Sequence, residues 1–271
     1  MNRHQRRKQQ KEQKIVQPFH QELLEIIKIH SSKNYVLAEK EYLNLLNKIP
    51  NDYETIRHLG ILYFDIGRLE QAYNCFQKAV KVNPKRCEAY NNLGFVHMKN
   101  GNLELAETCL QKSYEINTRY IPTLNNLVGL YINWQHPDTA LKFAKRSIAL
   151  EPANPISNSQ YAKALIQNGQ LTEAIQILED LYKKFPSPPF RMDLSSAYRE
   201  NGDIEKSDQI IKEEFNKNYR LLDFFALYAI DKSNSLNSEQ IKYYEDMVKA
   251  DTKGERSLIR DQIKLCETFY I

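Results

Sequence analysis

Asn92 and Asn126 stand 34 residues apart, and one further step of 34 reaches Gln160. The same step taken backwards from Asn92 gives His58, and a step of 33 beyond Gln160 gives Asp193. The residues just before these form a second column: Arg57, Asn91, Asn125, Ser159 and Met192. A third column reads Asp65, Lys99, Asn133 and Gln167. An amide side chain carries both a hydrogen-bond donor and an acceptor. A row of them on one face can hold the backbone of an extended peptide without reading its side chains closely. The candidate peptide-binding residues are therefore Arg57, His58, Asn91, Asn92, Phe95, Lys99, Asn125, Asn126, Asn133, Gln160 and Asp193. Ile61, Phe95, Met98 and Ile132 add apolar pockets between the polar rungs.

Catalytic chemistry has no comparable footing. The sequence contains no HExxH, GxSxG, GxxxxGK[ST] or GxGxxG motif. His4, His20, His30, His58, His97 and His136 are scattered, and Glu179-Asp180 and Glu213-Glu214 read as solvated helix-surface charge. Cys75, Cys87, Cys109 and Cys266 form no C-x-x-C pair and have no histidine at ligand spacing. Cys75 and Cys109 share a column beside Phe76 and Leu110 and read as packed small hydrophobes. No catalytic residue, metal site or cofactor is expected, and scattered thiols suit a reduced, cytoplasmic protein.

The interval of 34 runs through the whole middle of the chain. Ala38, Ala72, Ala106, Ala140 and Ala174 share it, as do Pro50, Pro84, Pro152 and Pro186, with Thr118 filling the gap. Gly67, Gly101 and Gly169 form another column, interrupted by Gln135 and continued by Gly202 after a one-residue slip. Such a period is the signature of a repeat array. Within one unit, Ile56, Leu59, Gly60 and Tyr63 fall at i, i+3, i+4 and i+7, one helix face. Leu69, Ala72, Phe76, Ala79 and Val80 form a second, and Gly67-Arg68 breaks the pattern between them. Gly60 and Ala72 are small where the two helices would cross. Asn83-Pro84 ends the second helix. Asn154-Pro155 and Ser187-Pro188 each predict a side-chain cap followed by proline at the first helical position. A lone hairpin cannot bury both of its apolar faces, so the units must stack.

The units read as 19–52, 53–86, 87–120, 121–154 and 155–187, with a degenerate sixth at 188–221. Residues 1–18 form a polar, basic start. Arg3, Arg6, Arg7, Lys8, Lys11 and Lys14 face only Glu12 there, so the rest of a chain of net charge +4 is near neutral. This tail is expected to be disordered, with Arg3, Arg6, Arg7 and Lys8 open to a weak anionic partner such as RNA or anionic lipid. Residues 222–271 begin within the apolar "LLDFFALYAI" (Leu221 to Ile230) and read as helices capping the last repeat, one of them with a capping box at Thr252 and Glu255. No apolar h-region opens the chain, and no apolar run approaches the ~20 residues that span a bilayer.

Ile56, Leu59, Gly60, Tyr63, Ala72, Phe76 and Pro84 match the pattern W-x2-L-G-x2-Y…A-x3-F…P, and Tyr90, Leu93, Gly94, Ala106 and Leu110 match it again. The chain thus resembles the tetratricopeptide repeat (TPR) family over roughly three quarters of its length. The resemblance implies an all-α, right-handed α-solenoid of about six TPR helical hairpins with C-terminal capping helices. In that family the first helix of each hairpin lines a concave face, where the amide columns would lie. The columns resemble the asparagine ladder in the TPR region of O-linked N-acetylglucosamine transferase. The carboxylate clamp of chaperone-binding TPRs is not matched, because Asn91-Asn92 and Asn125-Asn126 lack paired lysines. Trp134 reads as packing near a turn. The basic start and the segment "LNSEQIKYYEDMVKADTKGERSLIRDQIKLCETFY" are similar to the front half of bacterial TPR–sulfotransferase fusions, a resemblance of architecture and not of activity. The functional expectation is a non-enzymatic scaffold binding a protein or peptide partner. Its alternatives are an accessory module for a separately encoded sulfo- or glycosyltransferase, or an adaptor to RNA or membrane through the basic tail.

Overall fold

A computed structural model describes residues 19–215, and these are all-α, with twelve helices and no strand among the described residues. The helices are α1 (19–31), α2 (Tyr35–Lys48), α3 (Tyr53–Asp65), α4 (Leu69–Val82), α5 (Cys87–Lys99), α6 (Leu103–Ile116), α7 (Ile121–Asn133), α8 (Pro137–Leu150), α9 (Pro155–Gln167), α10 (Leu171–Lys184), α11 (Pro188–Glu200) and α12 (Ile204–Phe215). The basic start, the segment from Asn216 and the expected capping helices lie outside the described residues. The chain divides into two compact units between Asn168 and Gly169. The first holds α1–α9 and the second α10–α12.

In the first unit α3 packs on α4, α5 on α6 and α7 on α8, and each pair also touches the next. This alternation is that of an α-solenoid. The first helices α3, α5, α7 and α9 lie in sequence against one another, which gives them a shared face. One core runs from Leu23 and Ile26 through Tyr42, Leu45, Leu59 and Phe76 to Leu93 and Val96. A second joins Leu110, Leu124, Leu127 and Leu130 with Phe143 and Ala164. Each such side chain, taken wholly from water, contributes about 1.5–3 kcal/mol. The repeated alanines Ala38, Ala72, Ala106 and Ala140 of the first unit have no exposure at all, because any larger side chain would hold the paired helices apart. Gly94 serves the same end: a Cβ there would stand 2.6 Å from Leu110 Cγ and 3.2 Å from the Ala106 carbonyl oxygen.

The turn between paired helices has one conformation throughout. Gly67, Gly101, Gly169 and Gly202 have φ between 73° and 86°, and Lys33 and Gln135 take φ of 63° and 57° at the equivalent places. The left-handed turn is thus kept even where the glycine is missing, and a side chain there costs about 1–2 kcal/mol. Gln135→Gly is expected to raise stability by about 0.5–1 kcal/mol, read as a higher thermal midpoint. An unchanged midpoint would show that Gln135 contributes contacts that offset its backbone strain.

The two proline starts differ. Asn154 Oδ1 accepts from the backbone N–H groups of Ile156 and Ser157 at 3.0 and 3.1 Å, so it caps α9. Ser187 makes no such side-chain bond, contrary to the expectation from its sequence. Its carbonyl accepts from Arg191 N at 3.1 Å, and Pro188 and Pro189 occupy the first turn of α11. Asp52 caps α3, accepting from Thr55 N at 2.8 Å and Thr55 Oγ1 at 2.7 Å.

Candidate functional site: the open face of the first helices

The two adjacent amide columns have different fates. Asn91 and Asn125 are buried, with 5% and 7% of their surface exposed, and their amides are used between hairpins. Ser147 Oγ stands 2.8 Å from Asn125 Oδ1 and 2.9 Å from Ser157 Oγ, and Asn125 Nδ2 donates to Ser157 Oγ at 3.3 Å. Ser147 Oγ is placed to donate to either Asn125 Oδ1 or Ser157 Oγ, and Ser157 Oγ accepts from Asn125 Nδ2. The three groups thus form one closed, buried cluster. One hairpin earlier, Thr123 Oγ1 donates to Asn91 Oδ1 at 3.2 Å and lies 2.6 Å from Ser113 Oγ. Ser113 Oγ is also 2.9 Å from the Cys87 carbonyl. The expectation that Asn91 and Asn125 face a ligand is therefore corrected. They are interior groups that join α5 to α7 and α7 to α9. Ser159, in the same column, is buried as well.

Arg57 is similarly committed. Its guanidinium donates to Glu54 Oε2 at 2.8 Å and to His58 Nε2 at 2.8 Å. Arg86 bridges Glu54 at 2.7 Å and Glu88 at 2.8 Å, and its guanidinium lies 4.8 Å from the centre of the Tyr53 ring. Two cations and two carboxylates neutralise one another here, and the arginines hold both carboxyls below their usual pKa. Arginine has no acceptor, so His58 carries its proton on Nδ1.

Burial, aided by the adjacent Arg57 charge, lowers the His58 pKa from 6.5 to about 4. Between those values the unfolded chain binds a proton that the folded chain refuses, so stability falls as pH falls through the window. His58→Gln is expected to flatten that part of the acid-side loss, seen in urea midpoints at about pH 7 and about pH 4.5. Equal slopes for the two proteins would show that His58 is not the group responsible.

The remaining column stays on the open face. Asn92, Asn126 and Gln160 are half-buried. Asn126 Nδ2 donates to Asn91 Oδ1 at 2.9 Å. Asn92 Oδ1 receives only a long contact from Asn91 Nδ2 at 3.4 Å, and Asn92 Nδ2 is buried with no partner. Gln160 Oε1 is also buried without a partner. Leaving such a group unsatisfied costs about 1–3 kcal/mol. Two helical turns along from Asn92 and Asn126, Lys99 and Asn133 are exposed. Phe95 is half-buried, with its ring 5.0 Å from that of Phe64 and the Lys99 ammonium 5.5 Å from its centre. Asp193 belongs to the second unit and is half-buried.

Two further groups are packing. The Trp134 ring lies nearly parallel to that of Tyr131, with centroids 6.5 Å apart, and packs against the second core. Burial pushes the Cys75 thiol up to about 11 and the Cys109 thiol in the same direction, so both stay protonated at neutral pH. Among the described residues no group of three or more His, Cys, Asp or Glu side chains is placed to hold a metal ion. No helix among them is long and apolar enough to cross a membrane.

The residues that bind hairpin to hairpin went unnoticed in the sequence. Ser113 and Ser147 replace Ala79 at intervals of 34, and Thr123 and Ser157 replace Ala89. A hydroxyl appearing in both columns at once was the available signal.

Family models agree with this architecture. A TPR repeat model matches residues 60–101, and two tetratricopeptide repeat models match residues 87–120 and 135–190. The chain carries tetratricopeptide repeats. Solved TPR structures share its fold. A TPR protein from Parabacteroides merdae is 18% identical, with 93% of this chain and 99% of that one covered and a TM-score of 0.63. A thermophilic TPR protein of Thermus thermophilus is 21% identical, covering 66% of this chain and 98% of its own, at a TM-score of 0.58. PilW, a type IV pilus biogenesis factor, is 16% identical, covering 78% and 99%, at a TM-score of 0.65. No curated protein sequence matches the chain. TPR repeats and these neighbours support a protein-interaction scaffold in general terms.

Proposed function

We propose that this protein is a non-enzymatic scaffold that holds an extended segment of a partner protein along the open face of α3, α5, α7 and α9. The observation that supports this reading is the pair of unsatisfied amide atoms, Asn92 Nδ2 and Gln160 Oε1. They occupy the same register two hairpins apart. One is a donor without an acceptor and the other an acceptor without a donor. An extended peptide supplies both complements along its backbone, a carbonyl for Asn92 and an N–H for Gln160. Each bond formed relieves a desolvation cost that the free protein already bears, which favours the bound state.

The test is an affinity capture with mass spectrometry, using wild type and Asn92→Ala/Gln160→Ala at matched helicity and melting temperature. Partners bound by wild type and lost by the double variant support the face as the binding surface. A separately encoded transferase among them would make the protein an accessory module of that enzyme. An unchanged partner list would remove the amide column from the binding site.

A further inference from the structure

We infer that the segment held on this face carries an aromatic or large aliphatic side chain with an acidic residue close beside it. The inference rests on the binding reading above and adds the chemistry of the ligand. Between the polar rungs, the face carries Ile61 and Phe64 on α3, Phe95 and Met98 on α5, and Ile132 on α7, all half-buried. Phe64 and Phe95 form one aromatic pair across two hairpins. Beyond it, α7 presents Gly129 in the position that Phe95 fills on α5. A Cβ on Gly129 would meet only Met98 Cε, at 3.5 Å. The missing side chain leaves open space beside Met98, with Ile132 one turn further along α7. Such open space between amide rungs suits one bulky apolar side chain of an extended peptide.

The charges on this face select what stands next to that side chain. Glu54, Arg57, Arg86 and Glu88 answer one another. Asp65 Oδ2 is 3.0 Å from His30 Nε2. Lys99 has no carboxylate within ion-pair distance among the described residues. Its one described contact is with the Phe95 ring, at 5.5 Å from the centroid. Lys99 thus stands exposed beside the aromatic pair, free to take a carboxylate. An acidic side chain within a few residues of the apolar anchor would reach it, and a basic one would be repelled.

The experiment selects a displayed library of random decapeptides on the full-length protein and on Asn92→Ala/Gln160→Ala, Phe95→Ala and Lys99→Glu. Wild type is expected to enrich peptides with a Phe, Tyr, Trp, Leu or Met followed or preceded within a few positions by Asp or Glu. Lys99→Glu should weaken the selected peptides on the order of tenfold and shift enrichment towards Lys or Arg at the acidic position. Phe95→Ala should lose the apolar preference. Should it fail to fold, Lys99→Glu changes only an exposed side chain and decides the matter alone. If wild type enriches peptides that the double amide variant loses, yet they lack this signature or Lys99→Glu selects the same set, the inference is overturned and the binding face stands. If nothing is enriched, or the double variant enriches the same peptides, both readings are overturned.

Discussion

Asn125→Ala lowers the stability of the first unit by about 2–3 kcal/mol, and adding Ser147→Ala and Ser157→Ala restores more than half of the loss. Trp134, the single tryptophan of the chain, sits at the end of α7 and reports the change through its fluorescence in a urea titration. The expectation follows from the closed cluster of Asn125, Ser147 and Ser157. Ser147 and Ser157 have no exposure, so water cannot replace a lost partner. Removing Asn125 leaves Ser147 and Ser157 with only each other, at 2.9 Å, and a buried polar group that loses a partner costs more than the bond it made. Removing all three groups leaves nothing unsatisfied. Two interfaces earlier the protein already has alanine in both hydroxyl places, where Ala79 and Ala89 stand and neither is exposed. Additive losses in the triple variant would mean that the residues act by packing volume and not as a network.

The interval of 34 made the hairpins legible because small residues and turn residues are dictated locally. Ala72 and its equivalents have nowhere to put a larger side chain, and the turn at Gly67 needs a left-handed residue. Even Gln135, which breaks the glycine column in the sequence, keeps the conformation of that column. The site was less legible. Asn91 and Asn92 are neighbours about 100° apart on one helix. Which of them points inwards depends on what the next hairpin offers, and that is Thr123 and Asn126. A single helix pattern holds no record of that choice. Arg57 was read as a ligand contact for the same reason, since its partner Glu54 looks like an ordinary surface residue in the sequence and His58 was itself read as a ligand contact. Ser187 failed as a cap although Asn154 succeeded. Both sequences offer a capping side chain before proline, but only the backbone entering α9 brings that side chain onto the free N–H groups.

Asn92→Ala separates binding from folding. The variant is expected to lose at least about tenfold in affinity for a segment selected on wild type, while its unfolding free energy moves by less than about 1 kcal/mol. Asn92 Nδ2 has no partner in the free protein, so its removal takes away an unmet donor along with one long contact at 3.4 Å. In the bound state the same atom would hold a peptide carbonyl, and that bond is lost in full. Asn126→Ala provides the contrast. Its Nδ2 donates to Asn91 Oδ1 at 2.9 Å, so truncation withdraws support from a buried group and costs about 1 kcal/mol of stability. The two asparagines look equivalent in the sequence, being 34 residues apart in one column. Isothermal titration with the selected peptide, together with urea unfolding of each variant, tells them apart. A loss of stability in Asn92→Ala equal to that in Asn126→Ala would make both residues structural, and the amide column would then have no role in binding.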